Sequence, residues 1–406
     1  MFYKNNVDMK YKKEILNNIL SLGAVDALGL IIPIVTMPIL SRALGADLYG
    51  GYLLFLTIVM FGYTIVDYGI QYTGTRAVAK SIGDSKDLYG YNQIIRWILF
   101  VVYSLVMSIY SLLFLDYYLA KYIIFCGVPL LAGYVLTSSW FFQAVSDTKW
   151  LLRASLISRL INLFVILFFV DSTSDLNIVI YSSTYPVFLS GIFLTYVLHK
   201  KYNVKFIKLG KVKEYFLANL NVFIGVLAPN FYNAIPIMFL GTISVPSDFA
   251  KFAVASRLSM IINMMINVFS KAIYPIISKD GGVFVRYIMI VNILISLPAV
   301  IFLLIFGDKV IEIFLGSAYK SDVNYLSILS VGMIFVALTN AFSHGYFLPR
   351  GLDAIYRKIS LNVSLLSGVI SVYLITNYGL LGGALSLTIA RFLFFATYAV
   401  VYKKHE

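Results

Sequence analysis

Apolar residues run along this chain in long blocks separated by short polar breaks, without the two-residue alternation of a half-buried strand. Twelve blocks fall at about 16–41, 50–72, 93–115, 119–142, 151–170, 178–198, 215–240, 250–275, 286–306, 323–347, 358–376 and 380–402. A helix needs roughly 20 apolar residues to cross a bilayer, whereas a barrel strand needs roughly 9–11 that alternate. The blocks therefore predict twelve transmembrane helices. The first follows Lys10, Lys12 and Lys13, as the apolar part of a signal peptide would. It is too long for one, holds Pro33 and Pro38, lacks a small-residue cleavage pattern, and is expected to stay.

Composition agrees. Of 406 residues, 60% are apolar and 13% charged, against about 45–50% and about 25% in ordinary soluble domains. Mean hydropathy is +0.86. One cysteine, Cys126, excludes a disulfide scaffold, and three histidines leave little for a metal centre. Gly281-Gly282 is not followed by the Gly-Lys-Ser/Thr of a phosphate-binding loop. The predicted loops leave no room for a soluble catalytic domain.

The net charge of +13 would suit a nucleic-acid binder, but its distribution fits a membrane protein and implies no nucleic-acid partner. With twelve crossings the two termini share a side. That side collects 24 of the 32 Lys and Arg residues, including Arg96 and six lysines between 200 and 213. The other holds five: Arg42, Lys121, Lys251, Lys309 and Lys320. Positive residues stay in the cytoplasm, so both termini are expected there. The remaining three, Arg159, Arg257 and Arg391, fall inside predicted helices. Gly307–Asp322 reads as the most charged outer loop.

The lysine-rich connection divides the chain into an N-terminal lobe of helices 1–6 (1–199), a cytoplasmic linker (200–214) and a C-terminal lobe of helices 7–12 (215–406). Its lysines set topology or bind anionic lipid. Leu44-Gly45 with Tyr49–Tyr52 is echoed by Leu240-Gly241 with Phe249–Phe252, as two parallel repeats would require. The predicted class is all-α integral membrane, with twelve helices in two six-helix lobes.

Charged and polar groups inside a membrane need a partner or a wet cavity. Asp26 lies about 15 Å into the first helix, before its two prolines, and is either a protonation site or a structural cap. Thr64, Asp67, Gln71 and Thr75 share one helix face; Asp67 is a gate residue or a partner of Arg76. Ser155, Arg159 and Asn162 repeat the pattern. Asn219, Asn230 and Asn233 fall near one face of the seventh helix, where Pro229 and Pro236 predict a bend. The eighth carries Ser256, Ser259, Asn263, Asn267 and Ser270 on one stripe with Arg257 at its shoulder. Arg391 stands near the middle of the last helix, as an anion ligand or a counter-ion. The serines at 360, 364, 367 and 371 make a small-residue face suited to close packing.

Several phrases resemble the polysaccharide transporter family, the O-antigen and lipid-linked oligosaccharide flippases of the MATE-like multidrug/oligosaccharidyl-lipid/polysaccharide exporter superfamily. They are IIPIVTMPILSRALGADLYG (31–50), DYGIQYTGTRAVAK (67–80), the Trp140, Phe142, Gln143 phrase, APNFYNAIPIMFLG, FAVASRLSMIINMMINVFSKAIYPIIS, EIFLGSAY and YGLLGGALSLTIAR (378–391). Together they cover nearly the whole chain in order. The resemblance implies a MATE-like fold and no enzymatic activity. It also implies flipping of undecaprenyl-diphosphate-linked oligosaccharide repeat units, O-antigen or capsule precursors, across the bacterial inner membrane. Membrane lipids and polysaccharide polymerase machinery are the other partners it suggests.

Such a task needs permanent cations for a diphosphate and amide or hydroxyl stripes for sugars. Arg42, Arg159, Arg257 and Arg391, with Asn219, Asn230, Asn233 and Asn263, are the candidates. No cofactor is expected. An H+ or Na+ gradient acting through Asp26 or Asp67, or passive flow drawn by downstream consumption, gives direction. The alternatives are an ion-coupled small-molecule or multidrug exporter of the same fold, and a membrane polysaccharide polymerase.

Overall fold

The structure is a computed structural model that describes residues 2–80, 85–204, 208–280, 285–320, 323–347, 350 and 352–405; for 2–23, 25–27, 30, 80, 221, 268–280 and 353 it describes the backbone alone. Every regular element among the described residues is helical. The order is α1 (Phe2–Asp67), α2 (Ile70–Lys80), α3 (Ser85–Phe114), α4 (Tyr117–Tyr122), α5 (Val128–Thr137), α6 (Ser139–Ala144), α7 (Lys149–Phe169), α8 (Leu176–Tyr202), α9 (Val212–Ile243), α10 (Pro246–Asp280), α11 (Val285–Leu315), α12 (Tyr325–Phe342) and α13 (Asp353–His405). Wider π turns join α4 to α5 at Ile123–Gly127 and extend α12 at Ser343–Phe347.

Ten helical stretches among the described residues are long and apolar enough to span a bilayer. The first, Ile31–Ala79, has 49 residues and the last, Ala354–His405, has 52. Each is more than twice what one crossing uses, and each contains a glycine outside helical geometry. Gly45 has φ 72° and ψ 173°, and Gly379 has φ 54° and ψ −131°. A side chain is strongly disfavoured in both conformations, so the glycines break what would otherwise be continuous rods.

The exposed surface is apolar, the reverse of a soluble bundle. On α3, Ile98, Val101, Val102, Leu105, Val106, Ile109, Leu112 and Leu113 are all exposed, at the three-and-four spacing of one broad helical face. The other face buries Asn92, Gln93, Arg96, Ser104 and Ser111. With lipid as solvent, apolar side chains face outward and polar groups find partners inside. The chain is an integral, multi-pass membrane protein.

Two compact units divide it: Met1–Ala43 with Ile58–Phe223, and Leu44–Thr57 with Ile224–Glu406. The first is cored by an aromatic cluster around Tyr89, Trp140, Phe141 and Phe142. Tyr89 and Trp140 stack with ring centroids 5.8 Å apart. In the second, Phe347, Phe394 and Tyr398 form one cluster, and Ile262, Ile266, Val300, Met333 and Ala337 another.

Three expectations are corrected. The charged outer segment from Gly307 is not a loop at first, because α11 continues to Leu315 and buries Gly307, Ile311 and Leu315. Those positions recur every four residues, which gives a charged stretch one apolar face. The second predicted helix is not continuous to 72: it stops at Asp67, and Tyr68 and Gly69 take positive φ before α2 begins. The third helix does not begin at about 93: α3 starts at Ser85 and carries Arg96 eleven residues into the helix, where it is buried. The serine face at 360, 364, 367 and 371 is buried throughout, as close packing requires.

Candidate functional site

A cavity of about 350 Å³ lies within the second unit, walled by α9, α10, α12 with its π turn, and α13. Each helix contributes residues from one face. Asn263 and Asn267 are one turn apart on α10, Thr339 and Ser343 one turn apart on α12 and its extension, and Arg391, Phe394 and Tyr398 follow at three and four on α13. Tyr232 and Asn233 enter from α9, and Tyr356 and Ser360 from the start of α13.

Asparagines order the wall in a donor chain. Asn292 donates to Asn340 (3.2 Å), Asn340 to Asn267 (3.4 Å) and Asn267 to Asn263 (3.3 Å). Asn292 also donates to the Ala337 carbonyl at 3.0 Å, and Asn233 to the Pro229 carbonyl at 3.0 Å. In an apolar medium such amide chains hold helices in register while leaving polar edges toward the cavity.

Arg391 is the charged lining residue, and it is 1% exposed. Its Nη1 donates to the Leu329 carbonyl at 2.9 Å, while Nη2 has no hydrogen-bond partner. Thr339 Oγ1, in the same wall, is also without a partner. Among the described residues that line the cavity, none is acidic. A guanidinium held this way is a strong donor facing no counter-ion among the lining residues.

Of the other predicted residues, Asn233 and Asn263 are among the described residues that line this cavity. Asn230 donates to the Val226 carbonyl within its own helix (2.9 Å). Asn219 is buried in the first unit and donates to Asn92 at 3.2 Å. Arg257 is half-buried and interacts electrostatically with Tyr49, which packs on Tyr52 and Tyr319. Arg159, in the first unit, lies against Gly29. Arg42 is exposed near the end of the first arm of α1. The side chain of Asp26 lies outside the described residues.

Asp67 is buried where α1 stops. It accepts from the Gln71 amide at 3.4 Å, which caps the first turn of α2. The cation with which it interacts is Arg96 rather than the expected Arg76. Arg96 is the residue that sequence reasoning missed. Its Nη1 donates to the Val135 carbonyl (2.8 Å), Ser138 (3.2 Å) and Gln93 (3.3 Å), and Nη2 to the Tyr134 carbonyl (3.0 Å). These acceptors surround the end of α5, where Ser138 turns left-handed at φ 43°. The available signal was Ser85 and Asp87, a helix start eight residues before the apolar block. Gln71 reaches the same region, donating to Gln143 at 2.7 Å and accepting from Ser139 at 2.9 Å.

Among the described residues, no three His, Cys, Asp or Glu side chains gather closely enough to hold a metal. A second hollow, beside Lys251, Asp308 and Lys320, has about 10 Å³, barely room for one water.

The family described as "Polysaccharide biosynthesis protein" matches residues 15–280. The "Putative O-antigen transporter" of Escherichia coli (strain K12) is 26% identical over 93% of this chain and 94% of its own length. Among solved structures, the inward-facing form of a multidrug resistance MATE family transporter of the MOP superfamily superposes with a TM-score of 0.72 at 16% identity, covering 96% of this chain and 98% of the other. The lipid II flippase MurJ in an inward closed conformation gives 0.74 at 13% identity, covering 96% and 87%. The fold is therefore the MATE-like multi-pass helical fold.

Proposed function

The chain belongs to the polysaccharide biosynthesis protein family, and from that premise we propose that it is a membrane transporter moving a lipid-linked substrate by alternating access. One observation carries this: a polar cavity with a buried arginine, Arg391, is built from helices whose outer faces are apolar. Packing alone has little use for a polar cavity lined by a buried arginine in a bilayer. A polar head group crossing while its tail stays in lipid does. Two lobes, twelve crossings and cytoplasmic termini in a bacterial inner membrane belong to the same proposal. The breaks at Gly45 and Gly379 support the twelve, since they make two helices of each long stretch.

The finer reading has two forms. The solved-structure likeness favours an ion-coupled exporter of small molecules, because a multidrug MATE transporter superposes along nearly its whole length. The family and the name of the Escherichia coli relative support an undecaprenyl-diphosphate-linked oligosaccharide, an O-antigen or capsule precursor. In either form, an H+ or Na+ gradient supplies direction, with Asp26 or Asp67 as the titrating group. Contact with polysaccharide polymerase machinery belongs only to the oligosaccharide form.

Purified protein in proteoliposomes decides between them. Defined lipid-linked oligosaccharides and small organic cations are offered in parallel, with and without proton and sodium gradients. Translocation of the glycolipid supports the oligosaccharide form, and gradient-driven uptake of cations alone supports the exporter. Movement of neither, by protein shown to be folded, rejects transport.

A further inference from the structure

We propose that the first unit holds an anionic phospholipid of the surrounding bilayer where α7 begins and α8 stops, with the head group on Arg153 and Lys200. The two helices are neighbours within that unit. Trp150 packs on Phe193, with ring centroids 6.0 Å apart, and Asn162 donates to Ser182 at 3.1 Å, so they run antiparallel and the first turn of one stands beside the last turns of the other. Lys149 and Lys201 meet there on one carboxylate: Asp147 accepts from Lys201 at 2.5 Å and lies 3.7 Å from Lys149. Arg153 and Lys200 are exposed and, among the described residues, have no carboxylate partner. Each lies instead over an aromatic ring, Arg153 over Trp150 at 5.2 Å and Lys200 over Tyr196 at 5.6 Å from the centroid.

Setting topology needs charge alone, with no fixed geometry. Here each of the two cations sits on a ring, which fixes it at the level where aromatic side chains mark the polar boundary of a bilayer. Toward the bilayer interior the same faces become apolar. Ile157 and Leu160 continue the Arg153 face of α7, and Phe193 and Leu189 continue the Lys200 and Tyr196 face of α8, at spacings of three and four, and all four are exposed. A charged head and an apolar chain are thus both provided for. Charge selects the lipid. A phosphodiester whose head group carries no amine accepts charge-assisted bonds from a guanidinium and an ammonium, whereas the ammonium of a zwitterionic head group is repelled by both. A phosphatidylglycerol-type lipid fits the patch, and a phosphatidylcholine-type lipid does not. The site faces lipid and is independent of the substrate that the protein moves.

The full chain in phosphatidylcholine vesicles carries its own reporter, because Trp150 lies in the patch. Lipids brominated near the top of their chains quench tryptophan on contact, and the quenching lost in Trp150→Phe belongs to this position. At equal mole fraction, brominated phosphatidylglycerol should associate at Trp150 about fivefold more strongly than brominated phosphatidylcholine, the preference that one basic residue supplies at an anionic surface. Arg153→Gln combined with Lys200→Gln should bring the two lipids to equality. Lys211→Gln combined with Lys213→Gln removes the same charge from exposed positions at the start of α9 and should keep the preference. Equal association of the two lipids with wild-type protein overturns the site, as does an undiminished preference in folded Arg153→Gln, Lys200→Gln protein. Loss of the preference in the Lys211→Gln, Lys213→Gln protein overturns it as well, since diffuse charge would then be its source.

Discussion

The Cβ that Gly332 lacks would stand 2.9 Å from Nη1 of Arg391. The glycine of α12 and the arginine of α13 therefore share one space, and the cavity's charge is placed by a residue that carries no chemistry. Gly332→Val should push the guanidinium off the Leu329 carbonyl and cost about 1–3 kcal/mol through overpacking. Transport should fall while membrane insertion is retained. Wild-type transport by this variant would mean that the position of Arg391 is immaterial.

Arg96 is expected to be structural. It ties α3 to the end of α5 through the Tyr134 and Val135 carbonyls, and hydrogen bonds from a charged donor contribute about 1.5–3 kcal/mol each. Arg96→Ala should lower the midpoint of heat denaturation in detergent by several degrees. Arg96→Lys should recover only part of it, because a single ammonium cannot reproduce the guanidinium fork. An unchanged midpoint for Arg96→Ala would contradict this role.

At the junction before α7, Asp147 accepts from Lys201 (2.5 Å) and Tyr202 (2.6 Å), and Lys149 lies 3.7 Å away. Burial alone would raise its pKa. The bonds from Lys201 and Tyr202 and the two lysine charges outweigh that and hold it below the ordinary carboxylate value. A carboxyl lowered on folding stabilises the protein above its unfolded value, about 4, and that stabilisation is lost as pH falls through the folded value. Heat resistance should thus fall more steeply between about pH 5 and about pH 3 in the wild type than in Asp147→Asn. Parallel curves would show that the latch contributes nothing.

Topology is open to cysteine labelling. Cys126, the single native cysteine, is buried, so it gives little background to an impermeant reagent. Lys205→Cys should react from the cytoplasm and Asp175→Cys from the opposite side, following the positive-residue bias. Labelling of both from the periplasmic side would reject the arrangement.

Membrane class, helical architecture and most of the crossings were legible in the sequence, because lipid imposes a length and a composition on each helix that no tertiary contact has to supply. The family phrases were legible too, and Trp140 and Gln143 prove to pack on Tyr89 and bond Gln71. Which polar residues share a site was decided only by tertiary structure. Asn219 and Asn233 lie on one helix yet belong to different units, while Asn292, Asn340, Asn267 and Asn263 come from three helices and join in one chain of donors. Helical periodicity states which face a residue occupies but not which neighbour that face meets. Arg96 and Arg391 are alike as letters in a sequence; one is held by two carbonyls at the end of α5 and the other lines a cavity with one arm docked on the Leu329 carbonyl, and only the packing of α5 and α12 against them makes that difference.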